Sequence, residues 1–138
     1  MPTLVRAALV GCLVVGGGCK GGITDASDLA PGVYALATIN GQPLPFVLVF
    51  IDDANQLVFI EGAITINANG TFSDTATLEL TDAGVVSTET DDVSGHWTQD
   101  GSTISFTPDD GSDPYTMAWD GSARLTQDIQ GFTLVYER

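Results

Sequence analysis

His96 is the only histidine in the chain, so a Ser-His-Asp type of proton relay would have to run through it. Ser94, Asp91 and Asp92 lie close to it in sequence. On a strand, Ser94 and His96 share a face at about 7 Å, too far apart for direct proton transfer. The chain contains no Gly-x-Ser-x-Gly elbow to present a nucleophile. His96 therefore reads as an outward-facing strand residue beside an inward Trp97, and the chain as a non-enzyme with no catalytic residue.

The other groups with chemical reach are carboxylates. They form three clusters: Asp52-Asp53, Glu89/Asp91/Asp92, and Asp109-Asp110/Asp113. Calcium takes six to eight oxygens, so the third cluster, set around Gly111, supplies a start on a site. It does not follow the alternating loop pattern that ends in a bidentate Glu. Asp is also a preferred turn former. The clusters are read as turns and a solvated strand face, with no metal and no cofactor expected.

The two cysteines, Cys12 and Cys19, both stand near the N-terminus. Arg6 is the only charge before Lys20, Ala7 to Val15 is a run of small and apolar residues, and Gly16-Gly17-Gly18 leads into Cys19. A lone positive charge, a short apolar core and small residues before a break are the parts of a secretory signal peptide. The core is too short to span a bilayer, which takes about 20 apolar residues. The ending resembles a bacterial lipoprotein signal, which is cut just before a cysteine that then receives lipid. Leu9-Val10-Gly11-Cys12 matches the letters of such a signal, but a cut there leaves too little apolar core after Arg6. Distance favours Cys19. The resemblance implies a leader over 1–18 and lipidation of Cys19. Lys20, directly after it, is compatible in that group with transport to the outer membrane.

Without residues 1–18 the chain keeps 120 residues, enough for one domain with a core. The net charge of −14 becomes −15 when Arg6 leaves. Phosphate binding depends on clustered Lys and Arg, so nucleic acid is excluded as a partner. With Cys19 lipidated, the domain has no cysteine for a bridge, a zinc site or a thiol nucleophile. Its stability must come from an apolar core and hydrogen-bonded ladders.

These residues must be positioned by strands. Residues 19–31, the lipidated cysteine and a Gly-, Asp- and Ser-rich stretch, read as a tether that would span roughly 40 Å if extended. From residue 32 onward the chain alternates short β-branched and aromatic runs with turn residues. Strands are expected over Val33–Ile39, Phe46–Ile51, Leu57–Ile66, Thr71–Thr81, Val85–Gln99 (broken near Gly95), Thr103–Thr107, Tyr115–Trp119, Ala123–Thr126 and Phe132–Glu137, with Gln127–Gly131 as a last loop. Gly62 marks a bulge or a close backbone approach. Asn69-Gly70 suits a tight hairpin with positive φ angles. Along Thr71–Thr81, Phe72, Asp74, Ala76, Leu78 and Leu80 fall on one face. No stretch carries a capped 3.6-residue stripe. About eight or nine short strands joined by hairpin turns imply an all-β, antiparallel up-and-down barrel, or a small β-sandwich.

Tyr34–Pro45 (YALATINGQPLP), Ile64–Phe72 (ITINANGTF), Ser94–Trp97 with Asp100-Gly101, and Ile104–Pro108 (ISFTP) resemble the small lipocalin-like lipoproteins of bacteria. That resemblance covers roughly residues 32–137 and implies the up-and-down barrel. Its motifs are turn and core residues, so they bear on fold more than on ligand.

Aromatic residues recur once or twice per strand, and Phe59, Phe72, Trp97, Phe106 and Trp119 are the candidates to line a cavity for a small apolar ligand. An eight-stranded barrel either holds one small ligand or is filled by its own side chains. Two functions follow. One is an exported, lipid-anchored barrel that binds a small apolar molecule. The other is an envelope structural or interaction module with a filled barrel, acidic loops and a protein partner that the residues do not identify.

Overall fold

The computed structural model describes residues 28–138, so the expected leader and the expected lipid site at Cys19 lie outside the described residues. The strands are β1 (Gly32–Ile39), β2 (Gln42–Pro43), β3 (Phe46–Asp52), β4 (Asn55–Ile66), β5 (Thr71–Asp82), β6 (Val85–Asp100), β7 (Thr103–Pro108), β8 (Tyr115–Trp119), β9 (Arg124–Ile129) and β10 (Phe132–Glu137). The described residues contain no helix. Consecutive strands from β4 to β10 pair antiparallel, and β10 pairs with β1. β1 then pairs with the far half of β4, from Gly32 opposite Ile66 to Ala35 opposite Ala63. That last ladder closes an up-and-down barrel of eight strands, with β2 and β3 as extras. Closure removes the unpaired edges that an open sheet of this length presents to solvent.

Alternation along the strands supplies the side chains that the closed barrel buries. Tyr34 and Leu36 on β1, Ile64 and Ile66 on β4, Phe72 on β5, Ile104 and Phe106 on β7, Met117 and Trp119 on β8, Leu125 on β9 and Tyr136 on β10 are buried in one core cluster. Phe72 meets Phe106 edge-on at 5.0 Å between ring centroids, and Tyr34 meets Trp119 the same way at 5.8 Å. The lower barrel is therefore filled.

One end is also plugged. Leu29 is only 4% exposed and belongs to the core cluster. Its N–H donates to Gln99 Oε1 at 2.7 Å, and the Tyr34 hydroxyl donates to the Ala30 carbonyl. Trp97 Nε1–H donates to the Asn67 carbonyl at 3.0 Å across the same end. Residues 29 and 30, in the stretch expected to be tether, are thus part of the fold.

The opposite end is uneven. β4 and β5 have 12 residues each and β6 has 16, against five or six in β7 to β10. β7 reaches β6 only from Gly95 onward, so residues 85–94 pair with β5 alone. β3 covers the other side of β4. A four-stranded overhang, β3 to β6, therefore stands above the barrel rim.

Three sequence expectations need correction. β6 runs unbroken through Gly95, where close approach to β7, rather than a break, requires glycine. Residues 127–129 are strand, and the turn is only Gln130-Gly131, because all six residues of β9 pair with β10. At Asn69-Gly70 only Gly70 has positive φ. Asn69 instead accepts the Thr71 N–H at 3.1 Å and the Thr71 hydroxyl at 2.7 Å through Oδ1. The irregularity expected near Gly62 lies between Phe59 and Glu61.

Candidate functional site

At the uneven end the inward faces of β4, β5, β8, β9 and β10 line an open-mouthed cavity of about 460 Å³. Phe59, Ala76, Ile129 and Leu134 give it apolar walls; Asp74, Gln127 and Tyr136 put polar atoms into it; Asp113 and Pro114 stand at its rim. Tyr115 is its floor. That ring stacks on Phe106 at 5.1 Å and meets Phe72 edge-on at 6.1 Å, so the filled core ends where the cavity begins.

Each polar group arrives by strand alternation. Asp74 sits between Phe72 and Ala76 on the inner face of β5, two residues above a fully buried ring. The Tyr115 hydroxyl donates to Asp74 Oδ2 at 2.7 Å. No other protein donor reaches this carboxylate among the described residues. Burial pushes the Asp74 carboxyl above the usual range, against the opposing effect of the Tyr115 bond. Burial, and then the Asp74 charge, raise the hydroxyls of Tyr115 and Tyr136 as well. Gln127 follows Leu125 on the inner face of β9 and is 9% exposed, with no side-chain partner among the described residues.

No cation offsets this charge among the described residues. Arg124 donates to Glu137 Oε2 at 2.8 Å from Nη2 and 3.1 Å from Nε. Arg138 lies over the Tyr34 ring, 5.7 Å from its centroid. Both guanidiniums are at the plugged end, where Arg138 also reaches the Pro31 carbonyl.

The linkage sign follows from the direction of the Asp74 shift. Its carboxyl binds a proton more tightly folded than unfolded, where the ordinary value is 3.8. Between 3.8 and the raised native value the folded chain holds the extra proton, so stability falls as pH rises through that window. Above it the ionised, desolvated carboxylate lowers stability. Asp74→Asn keeps an oxygen to accept from Tyr115 and removes the charge. Its urea midpoint is expected to exceed that of the parent at pH 7, with the gain gone below about pH 3.8. A lower midpoint at pH 7 would show that the charge stabilises the fold.

The five aromatic residues expected to line a cavity are divided by the fold. Phe59 lines it, whereas Phe72, Phe106 and Trp119 are buried in the core beneath, and Trp97 packs at the plugged end. His96 is exposed and its Nδ1 lies 3.2 Å from Asp109 Oδ1. Ser94 makes no side-chain bond to it among the described residues, and Asp91 and Asp92 are exposed on the overhang. Asp110 Oδ1 accepts the Ser112 N–H at 2.8 Å, which makes it a turn residue, and hydrogen bonding from the Ser112 side chain and then its backbone holds the Asp110 carboxyl below the usual range. Asp52 and Asp120 close turns the same way, on Ala54 and on Ser122 to Arg124. Gln127, Tyr115 and Tyr136 carry the site without having been singled out as its polar members. The signal that was present is Asp74, an acid on the apolar face of its strand. Comparison with protein-family models, with curated proteins and with solved structures finds no match.

Proposed function

We propose that this protein is an exported, lipid-anchored barrel of the lipocalin-like kind that binds one small, largely apolar molecule in its open mouth. The observation that carries the reading is the contrast between the two ends. Side chains fill the lower barrel, while the upper end keeps about 460 Å³ walled by Phe59, Ala76, Ile129 and Leu134. Pockets for small molecules span about 300–1,000 Å³ and combine apolar walls with a few polar groups, as here. Cys19 holds the chain to the membrane in this reading.

A second reading has its own support. Val47, Val49, Phe50 and Ile51 on β3, Leu80 on β5, and Val85 and Val86 on β6 leave an apolar surface exposed on the overhang. Apolar patches of this kind mark interaction sites, which suits an envelope interaction module.

Mass spectrometry of the protein purified from its own host membranes separates the two. An N-terminal acylated Cys19, and a small molecule retained in native spray and lost on denaturation, are the expected results. A bare native mass with no uptake of a hydrophobic fluorescent probe removes the ligand-binding reading. A chain starting elsewhere than Cys19 removes the anchor.

A further inference from the structure

We infer that the mouth cavity takes an amphiphilic amine, with Asp74 and Gln127 holding its ammonium group and the apolar walls its hydrocarbon body. The inference rests on the ligand-binding reading above and narrows it to one chemical class.

Three observations lead to the ammonium group. The Asp74 carboxylate lies within an apolar cavity with one of its oxygens bonded to Tyr115 and no cation opposite it. A half-buried carboxylate with one hydrogen bond and no cation beside it is costly to ionise, and a fold can avoid that cost by placing Leu or Ala at that position. Gln127, nine-tenths buried, has unused hydrogen-bonding atoms facing the same space. The Tyr136 hydroxyl lines it too and makes no hydrogen bond among the described residues. An ammonium group has three donors and no acceptor. Asp74 Oδ1, Gln127 Oε1 and Tyr136 Oη are acceptors on residues that line the cavity.

Other classes fit less well. A carboxylate ligand would meet Asp74 inside and Asp113 at the rim, in a chain of net charge −14. Like charges in a low dielectric repel strongly. An alcohol can donate once to Asp74 but leaves its charge unmatched. The body of the ligand is set by Phe59, Ala76, Ile129 and Leu134, which offer contact area and no donors.

Calorimetric titration of the purified protein at pH 7 with hexylamine, hexanol and hexanoate tests the inference. These probes share a hydrocarbon chain and differ in the head group. Hexylamine is expected to bind one to one and at least tenfold more tightly than either of the others. Asp74→Asn is expected to erase that preference while leaving hexanol binding unchanged, and its thermal transition shows that it is folded. Asp92→Asn removes an equal charge from the exposed overhang and should leave amine binding as it was. Equal weakening by both variants would mean that general surface charge attracts the amine, and the inference fails. Hexanol or hexanoate binding as tightly as hexylamine overturns the amine assignment and leaves the cavity reading standing. No binding of any probe, with a bare native mass, overturns both.

Discussion

Gly95→Ala is expected to destabilise the barrel by at least about 3 kcal/mol, at the upper end of what overpacking costs. A Cβ at Gly95 would stand 2.1 Å from the Thr107 carbonyl oxygen and 2.8 Å from Pro108 Cα. Both obstacles are backbone, so no rotamer change relieves the contact. Gly95 pairs with Pro108, the last residue of β7, and the Asp109 N–H donates to the Ser94 carbonyl at 2.9 Å just beyond. Moving β7 away would loosen the ladder where the overhang leaves the barrel. Gly62 provides the comparison. A Cβ there would lie 3.2 Å from Phe59 Cε1 and 3.3 Å from Leu36 Cδ2, which are the ends of movable side chains. Gly62→Ala is expected to cost about 1 kcal/mol. Urea denaturation of the two variants measures the difference. Equal midpoints would mean that β7 yields at Gly95 and that the close approach is not required.

Phe106→Ala should cost about 4 kcal/mol, within the range for deleting a buried ring. Phe106 is fully buried and touches both Phe72 and Tyr115. Each aromatic pair adds about 0.5–1.5 kcal/mol beyond area burial. The loss reaches the site as well. Tyr115 rests on Phe106 and donates to Asp74, so the floor of the cavity loses its support, and under the proposed ligand-binding function affinity should fall with stability. Phe50→Ala removes the same side chain from a position 60% exposed on β3. Its expected effect is within about 0.5 kcal/mol. A Phe106→Ala loss no larger than that of Phe50→Ala would mean that the ring is not part of a packed core.

Both substitutions bear on how the cavity exists at all. A barrel of eight strands is just wide enough for side chains to fill it. Here large rings fill it from the plugged end up to Tyr115. Above that level the inner face carries Ala76, Asp74 and Gln127, which are smaller or polar, and the space is left open. The open space in this barrel therefore depends on a change of residue size along its axis.

Strand positions were legible in the chain because alternation with a period of two and Gly-, Asn- and Asp-rich turns are local signals. β1, β3, β4, β5, β7, β8 and β10 all fall within two residues of their expected bounds. Alternation places Phe72, Asp74 and Ala76 inward on β5, but Leu80, expected on the same face, is 45% exposed and Thr81 is buried instead, where the strand has left the barrel for the overhang. Two turns show the limit of local rules. Ala83 and Gln130 adopt positive φ, 52° and 51°, although neither residue type favours it. Ala83 is held by its N–H to Asn55 Oδ1 at 3.0 Å, a contact from another strand. The end of β9 was lost in the same way, since Gln127, Asp128 and Ile129 look polar and irregular until β10 pairs with them.

The sequence by itself determined an acidic composition, an all-β class and most strand positions, with barrel and sandwich both left open. Those depend on residue type and spacing along one chain. Tertiary structure decided that the sheet closes through β1 and β4, that Leu29 plugs one end, and that Phe72, Phe106 and Trp119 fill the core while Phe59 lines a cavity. It also brought Asp74, Tyr115, Gln127 and Tyr136 from four strands to one mouth. Alternation determines the face on which a residue lies. Its depth along the barrel axis depends on how each strand is staggered against its neighbours, and that stagger separates a filled level from an open one.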